Sequence, residues 1–119
     1  KDPLEVIKKI KSIKKKAGFA LLPETKVKTI QHYLNKISHV LILTVKPGFY
    51  GSKFLPQHLK KIHQIKKLYP KIKVIVDGSM NPKTIKKAKA ADYFVSGSYI
   101  NKSENPKERK KILEHLLNN

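Results

Sequence analysis

Four short apolar runs, each followed by a turn and then by a helical pattern, set the order of elements in this chain. The runs occupy residues 19–22, 40–45, 74–76 and 93–96. They are continuously apolar instead of alternating, which is typical of strands in a parallel sheet whose faces are covered. Strand and helix units that follow one another in this way predict an α/β fold with a parallel sheet.

Helix signals precede and separate these runs. Asp2-Pro3-Leu4-Glu5 gives an N-cap, a proline at the first helical position and an early glutamate, which predicts a helix over residues 2–16. Later helices are predicted from Thr25, from Asn81-Pro82 and from Asn105-Pro106. The predicted core positions are Leu4, Ile7, Ile10 and Ile13, then Ile30, Tyr33, Leu34 and Ile37, then Leu59, Ile62, Ile65 and Leu68 before Pro70, then Ile85 and Ala88, and finally Ile112, Leu113, Leu116 and Leu117.

The composition bounds the class of protein. With 119 residues, 39% of them hydrophobic, and no cysteine, the chain fits one domain without disulfides or thiolate sites. No apolar run approaches the roughly 18 residues that span a bilayer, and no signal-peptide pattern opens the chain. We therefore expect a soluble, cytoplasmic protein that has no membrane partner.

The net charge of +19 suggests attraction to nucleic acid or other polyanions. However, Arg109 is the only arginine among the 27 basic residues, whereas base-edge and bidentate phosphate recognition favour arginine. The lysine excess is interpreted as a compositional bias, and no nucleic-acid partner is predicted. A lysine-rich polyanion binder remains an alternative hypothesis, for which affinity for DNA would fall steeply with salt.

Glycine follows three of the four predicted strands. The segments are Pro47-Gly48-Phe49-Tyr50-Gly51-Ser52, Asp77-Gly78-Ser79 and Gly97-Ser98. Function gathers beyond the carboxyl ends of parallel strands, where glycine lets backbone N–H groups approach an anion closely. Two interpretations stay open at this point: turn chemistry with a structural Asp77, or a phosphate cradle beside a catalytic Asp77.

Three motifs in the same order and spacing resemble the ribulose-phosphate 3-epimerase family. They are T-V-K-P-G-F-Y-G-S-K-F at residues 44–54, V-D-G-S-M-N-P at residues 76–82 and V-S-G-S-Y-I at residues 95–100. The segment F-A-L-L-P-E-T at residues 19–25 supports the likeness. The resemblance implies that residues 1–119 form a single partial domain of the ribulose-phosphate-binding barrel type. It would be the C-terminal half of a TIM (β/α)8 barrel, with four parallel strand–helix units preceded by a helix.

The resemblance also implies an isomerase activity of the pentose phosphate pathway. The family inverts C3 of D-ribulose 5-phosphate to give D-xylulose 5-phosphate through an enediolate, with a divalent metal, commonly zinc or iron, and with manganese or cobalt as alternatives. By position, Asp77 matches the carboxylate that binds the metal and acts as one of two acid/base groups. The positions that match the segments around the substrate phosphate are Gly48, Phe49, Tyr50, Gly51, Gly78, Ser79, Gly97 and Ser98.

Four positions depart from the family pattern. Tyr50 stands at the second glycine of the Gly-Phe-Gly-Gly loop, Leu43 at a methionine, Leu22 at an asparagine and Ser79 at the commoner glycine. The Asp-Gly-Ser sequence is also similar to the allulose 6-phosphate 3-epimerase branch. Allulose 6-phosphate epimerisation and a non-catalytic sugar-phosphate-binding half barrel therefore stay open as alternatives.

A full barrel takes about 250 residues, or somewhat over 200 in compact cases, so half of it would be missing here. The family's remaining metal ligands, two histidines and a second aspartate, come from that first half. The five histidines of this chain are predicted on helices or before a strand, away from the site: His32, His39, His58, His63 and His115. A half barrel leaves two strand edges and one sheet face open. We therefore expect a homo-oligomer or completion by an N-terminal half, and the helical start at Asp2 favours a fragment.

Overall fold

The computed structural model describes residues 2–47 and 52–118. Four parallel strands form one sheet, and their order in the sheet is their order in the chain. The predicted α/β fold with a parallel sheet is confirmed. The strands are β1 (Gly18–Leu21), β2 (His39–Leu43), β3 (Lys73–Asp77) and β4 (Tyr93–Val95).

The strand ends differ from the prediction by one or two residues, and one of these differences matters for the site. β3 includes Asp77, which the sequence placed just beyond the strand. Asp77 pairs with Leu43 on one side and with Val95 on the other. The main chain of this residue is therefore fixed on both sides by neighbouring strands.

One α-helix precedes β1, one lies between β2 and β3, one lies between β3 and β4, and two follow β4. Asp2, Asn81 and Asn105 each accept a hydrogen bond from a main-chain N–H of the following helix, so the three predicted caps are confirmed. A 3₁₀ turn at Pro56–Leu59 leads into the second helix. The helices are α1 (Pro3–Ser12), α2 (Lys60–Leu68), α3 (Pro82–Lys87), α4 (Ser98–Asn101) and α5 (Pro106–Leu117).

The helix predicted from Thr25 is wrong. Two 3₁₀ helices, Val27–Thr29 and Gln31–Lys36, take its place, and no side chain caps either of them. Short 3₁₀ helices are common as connectors, and tertiary packing decides between the two helix types here. Ile30 and Leu34 are nevertheless buried as predicted, because an apolar spacing of three and four residues serves both helix types.

Three residues predicted in the core lie at the surface instead. Ile13 is 67% exposed because α1 ends at Ser12, four residues earlier than predicted. Leu68, the last residue of α2, is 52% exposed, and Ile112 on α5 is 40% exposed. Lys14, with a φ of 60°, supplies the left-handed turn after α1.

The two faces of the sheet differ in burial. Side chains on one face pack against the helices and are fully buried: Val40, Ile42, Val74 and Val76. On the other face, Tyr93 is 56% exposed and Val95 is 42% exposed. Among the described residues, β1 and β4 each pair on one side alone. One covered face, one open face and two open edges are what half of a barrel presents.

None of the helices in residues 2–47 and 52–118 has the length and apolar character that crossing a bilayer requires.

Candidate active site

A pocket of about 600 Å³ lies at the carboxyl ends of β3 and β4. All five of the predicted site residues that the structure describes line it: Asp77, Gly78, Ser79, Gly97 and Ser98. These residues come from two loops that are about twenty positions apart in the chain. The parallel pairing of β3 with β4 brings the two loops together, as expected for the carboxyl edge of a parallel sheet.

The loop predicted to complete the phosphate cradle lies outside the described residues. Gly48, Phe49, Tyr50 and Gly51 therefore stay a prediction. The next residue, Ser52, lines the pocket, and its carbonyl accepts a hydrogen bond of 3.3 Å from the Ser79 hydroxyl.

Asp77, the last residue of β3, lines the pocket. Burial raises the pKa of its carboxyl group above the usual range, because the charged form loses water there. Within residues 2–47 and 52–118, no hydrogen bond or ion pair engages this carboxylate. A half-buried carboxylate that is held by the sheet but engaged by no neighbour is suited to taking and returning a proton.

The turn after Asp77 has an unusual backbone. Gly78 has a φ of 136°, and Ser79 has a φ of 52°. A Cβ atom added at Gly78 would lie 2.7 Å from the Thr44 hydroxyl and 3.0 Å from the Val45 nitrogen. Glycine is therefore required at residue 78, both by its φ and by the lack of space.

The second loop has room that the first lacks. A Cβ atom added at Gly97 would meet no atom within 4 Å among the described residues, so this position opens onto the pocket. Gly97 precedes the short helix α4, which the sequence analysis missed. Arg109 on α5 holds α4 in place, since it donates a 2.9 Å hydrogen bond to the Tyr99 carbonyl and lies 4.5 Å from the centre of that ring.

Sequence reasoning missed several residues that line the pocket: Val45, Met80, Val95 and Tyr99 as walls, and Ser52 and Asn81 as polar groups. Asn81 was assigned to helix capping alone, which it does perform. The sequence did contain a signal for Ser52 and Tyr99, because both belong to the segments that resemble the epimerase family.

The described residues do not form a complete site for a divalent metal. They contain no group of three or more His, Asp or Glu side chains able to hold an ion. Asp77 alone would supply a single carboxylate ligand, whereas a zinc site takes three or four protein ligands. Four histidines lie on helices or 3₁₀ turns, and His39 begins β2 at the opposite end of the sheet, with its Nδ1 2.7 Å from the Ser38 hydroxyl.

Comparison with known proteins identifies relatives along nearly the whole chain. The model of the ribulose-phosphate 3 epimerase family matches residues 1–101. The ribulose-phosphate 3-epimerase of Helicobacter pylori is 39% identical over 99% of this chain and 56% of its own length. The enzyme of the same name from Methanocaldococcus jannaschii is 39% identical over 84% of this chain and 45% of its own length. A rice protein named as the cytoplasmic isoform is 36% identical, over 87% and 48% respectively. The chain thus spans about half the length of the curated relatives that it matches.

Solved structures share the fold at low sequence identity. KGPDC from Streptococcus mutans, in a complex with a sugar phosphate, has a TM-score of 0.72 and 19% identity, over 96% of this chain and 53% of the other. The 3-keto-L-gulonate-6-phosphate decarboxylase of Vibrio cholerae has a TM-score of 0.70 and 12% identity, over 94% and 53%. The predicted TIM-barrel half is confirmed by this likeness, since the chain matches about half of each of these structures.

Proposed function

This chain belongs to the ribulose-phosphate 3-epimerase family, and from that premise we propose that it forms the phosphate-binding part of a ketose-phosphate 3-epimerase and supplies one of its two acid/base groups. The reaction is the interconversion of D-ribulose 5-phosphate and D-xylulose 5-phosphate. One observation carries the proposal: the carboxylate of Asp77 shares a pocket with the glycine loops at residues 78 and 97.

Asp77 has the properties of a proton acceptor at C3. A proton next to a ketone is a weak acid, and a base with a raised pKa holds it better than an ordinary carboxylate does. In the forward step, the carboxylate takes the C3 proton and the electron pair of the C–H bond moves into the enediolate. A second acid then delivers a proton to C3 from the opposite side, which inverts the centre. That second group would come from polypeptide outside the described residues.

The two glycine loops fit the phosphate end of the substrate. Ser79 and Gly97 both line the pocket, and their main-chain N–H groups are the ones that would hold a phosphate there. A phosphate fixed by these loops would orient the sugar so that C3 reaches Asp77, which lines the same pocket. The structural neighbour from Streptococcus mutans, described in its complex with a sugar phosphate, supports a ligand of this class.

Further parts of the proposal rest on the family resemblance. The first is a divalent metal, zinc or iron, with Asp77 as one ligand and the remaining ligands supplied from outside the described residues. The second is a role in the pentose phosphate pathway, and the third is a cytoplasmic location. When bound, such a metal would stabilise the enediolate charge. The open face of the sheet supports completion by a further polypeptide segment or a second copy.

A second candidate function is favoured by the single acid/base group in the described pocket. Epimerisation needs one such group on each side of the enediolate plane. A chain with a single acid/base group is able to bind a sugar phosphate without inverting its C3 centre. A non-catalytic sugar-phosphate-binding protein is therefore the alternative, and allulose 6-phosphate is the alternative substrate.

Deuterium incorporation at C3, followed by proton NMR, separates these functions. One base is sufficient for exchange, because Asp77 is able to take the proton and return a deuteron to the same side. We expect this chain, tested with and without divalent metal, to catalyse exchange in ribulose 5-phosphate without inversion. The Asp77→Asn variant is expected to lower that rate by at least about a hundredfold and to leave phosphate binding intact.

The other outcomes divide the hypotheses. Faster deuterium exchange with allulose 6-phosphate than with ribulose 5-phosphate would identify allulose 6-phosphate as the preferred substrate. Sugar-phosphate binding without exchange would favour the non-catalytic function, and an unchanged rate in Asp77→Asn would remove Asp77 from the mechanism.

A further inference from the structure

Four successive main-chain carbonyls, from the last residue of β3 to Met80, accept hydrogen bonds from side-chain hydroxyl groups. The Thr44 hydroxyl is 3.2 Å from the Asp77 carbonyl oxygen and 2.8 Å from that of Gly78. The Thr84 hydroxyl donates to the Ser79 carbonyl, and the Ser96 hydroxyl donates to the Met80 carbonyl at 2.8 Å. The donors come from three places in the fold: the exit of β2, the first turn of α3 and the exit of β4.

These hydroxyl groups are themselves fixed. Thr44 is fully buried, its N–H donates to the Asp77 carbonyl at 2.9 Å, and its own carbonyl accepts from Leu55 at 2.7 Å. Thr84 is 8% exposed, and its hydroxyl oxygen accepts a 2.9 Å hydrogen bond from the Asn81 N–H. Because that oxygen accepts from one side, its own proton is directed at the Ser79 carbonyl.

Peptide geometry converts these carbonyl contacts into an orientation of N–H groups. In a trans peptide, the C=O of one residue and the N–H of the next point in opposite directions. The Gly78 and Ser79 carbonyls point inward, at the hydroxyls of Thr44 and Thr84. The N–H groups of Ser79 and Met80 therefore point the other way, on the side where both residues line the pocket. Successive N–H groups at a turn with left-handed residues form a concave site for an anion.

We propose that Thr44, Thr84 and Ser96 are positioning residues that preorganise this turn, so that the N–H groups of Ser79 and Met80 meet a tetrahedral phosphate. The inference rests on the proposed function, since the anion is the substrate phosphate. None of the three residues is among those that line the pocket. They hold the carbonyl dipoles of the turn away from the phosphate, which would otherwise be repelled, and they remove the cost of ordering the loop on binding.

Thr44→Val is the principal test, because valine has nearly the shape of threonine and lacks the hydroxyl group. The measurement is a titration with inorganic phosphate, monitored by proton–nitrogen NMR. In the wild-type protein, we expect phosphate to shift the amide signals of Ser79 and Met80. In Thr44→Val, affinity should fall by about tenfold, and the order parameters of the two amides should drop below about 0.6. Thr44→Ser, which keeps the hydroxyl, should bind within about threefold of wild type.

Ser96→Ala is the second variant, because Ser96 is half-buried and its loss leaves the core unchanged. It should weaken phosphate binding by about threefold to tenfold. Ser38→Ala is the matched control: this half-buried serine contacts the Ala17 carbonyl and His39 at the opposite end of the sheet, so phosphate affinity should stay at the wild-type value.

Two results would overturn the inference in different ways. Equal phosphate affinity in wild type, Thr44→Val and Ser96→Ala would exclude a positioning role and leave the proposed function standing. Absence of any phosphate-induced shift in the wild-type amides of Ser79 and Met80 would overturn the phosphate site itself, together with the positioning role that depends on it.

Discussion

Two aspartates at opposite ends of the same pair of strands have opposite surroundings. Asp92, just before β4, accepts hydrogen bonds from the Lys66 ammonium group and from the Val74 N–H. Burial would raise its pKa, but these hydrogen bonds and the charges of Lys66 and Lys73 hold the pKa below the usual range. Asp77, at the end of β3, has no such partner among the described residues, and burial raises its pKa.

The difference matches a stabilising role for Asp92 and the proposed acid/base role for Asp77. At the amino end, a carboxylate is matched with a cation and ties α2 to the strands. At the carboxyl end, hydrogen bonds hold the backbone around Asp77 in place while its carboxylate stays uncommitted. In TIM barrels, residues at the carboxyl ends of the strands belong to catalysis and those at the amino ends to stability. A rigid backbone with a free side chain is what a proton acceptor requires.

The largest effect is expected from Gly78→Ala, which tests whether the turn at the carboxyl end of β3 is rigid. The added Cβ would lie 2.7 Å from the Thr44 hydroxyl, at a φ that alanine rarely adopts. We expect the free energy of unfolding in urea to fall by about 3 kcal/mol. The matched control is Gly97→Ala, which meets open space and should change stability by less than about 0.5 kcal/mol. Equal stability of the two variants would contradict a rigid turn.

A smaller effect is expected when the charge of each aspartate is removed in turn. Asp92→Asn loses the ion pair with Lys66, and we expect urea unfolding at pH 7 to show a loss of about 1.5 kcal/mol. Asp77→Asn removes a charge that burial disfavours, so its stability should equal that of wild type or exceed it slightly. Destabilisation of similar size in both variants would show that Asp77 also has a structural partner.

The smallest expected effect is the change with pH in the stability difference between wild type and each aspartate variant. The pKa of Asp92 is lowered by folding, so its contribution is complete above about pH 4 and is lost as pH falls through the folded value. The pKa of Asp77 is raised by folding, so its ionisation lowers stability as pH rises above about 4 through the folded value. Asp77→Asn should therefore gain up to about 0.5 kcal/mol on wild type at pH 7 and nothing at pH 3. Thermal unfolding of wild type, Asp92→Asn and Asp77→Asn between pH 3 and 7 measures both effects. If the stability of all three proteins changed in parallel with pH, the opposite pKa shifts of the two aspartates would be contradicted.

The sequence predicted the features that depend on neighbours in the chain. The continuous apolar run at residues 74–76 and the cap at Asn81 are local signals, and both the strand and the helix form as predicted. Because the strands are parallel, the loops at residues 77–79 and 97–98 had to meet at one edge of the sheet.

The features that were missed depend on contacts distant in the chain or on very short elements. Thr44 and Asp77 are separated by 33 positions, and no local pattern links a hydroxyl to the carbonyl that it will contact. Helix α4 has four residues, too few for an apolar period to show. The 3₁₀ helix at Gln31–Lys36 has the same apolar spacing as an α-helix, and tertiary packing decides between them.

The strand order of this sheet has a consequence for how the polypeptide is made. Among the described residues, each strand pairs with the strand that follows it in the chain. Pairing between consecutive strands closes shorter loops than pairing between distant ones, so it costs less chain entropy. As the polypeptide leaves the ribosome, β1 is therefore able to pair with β2 before β3 and β4 are made. In that order of assembly, the pocket, which needs β3 and β4, would form last.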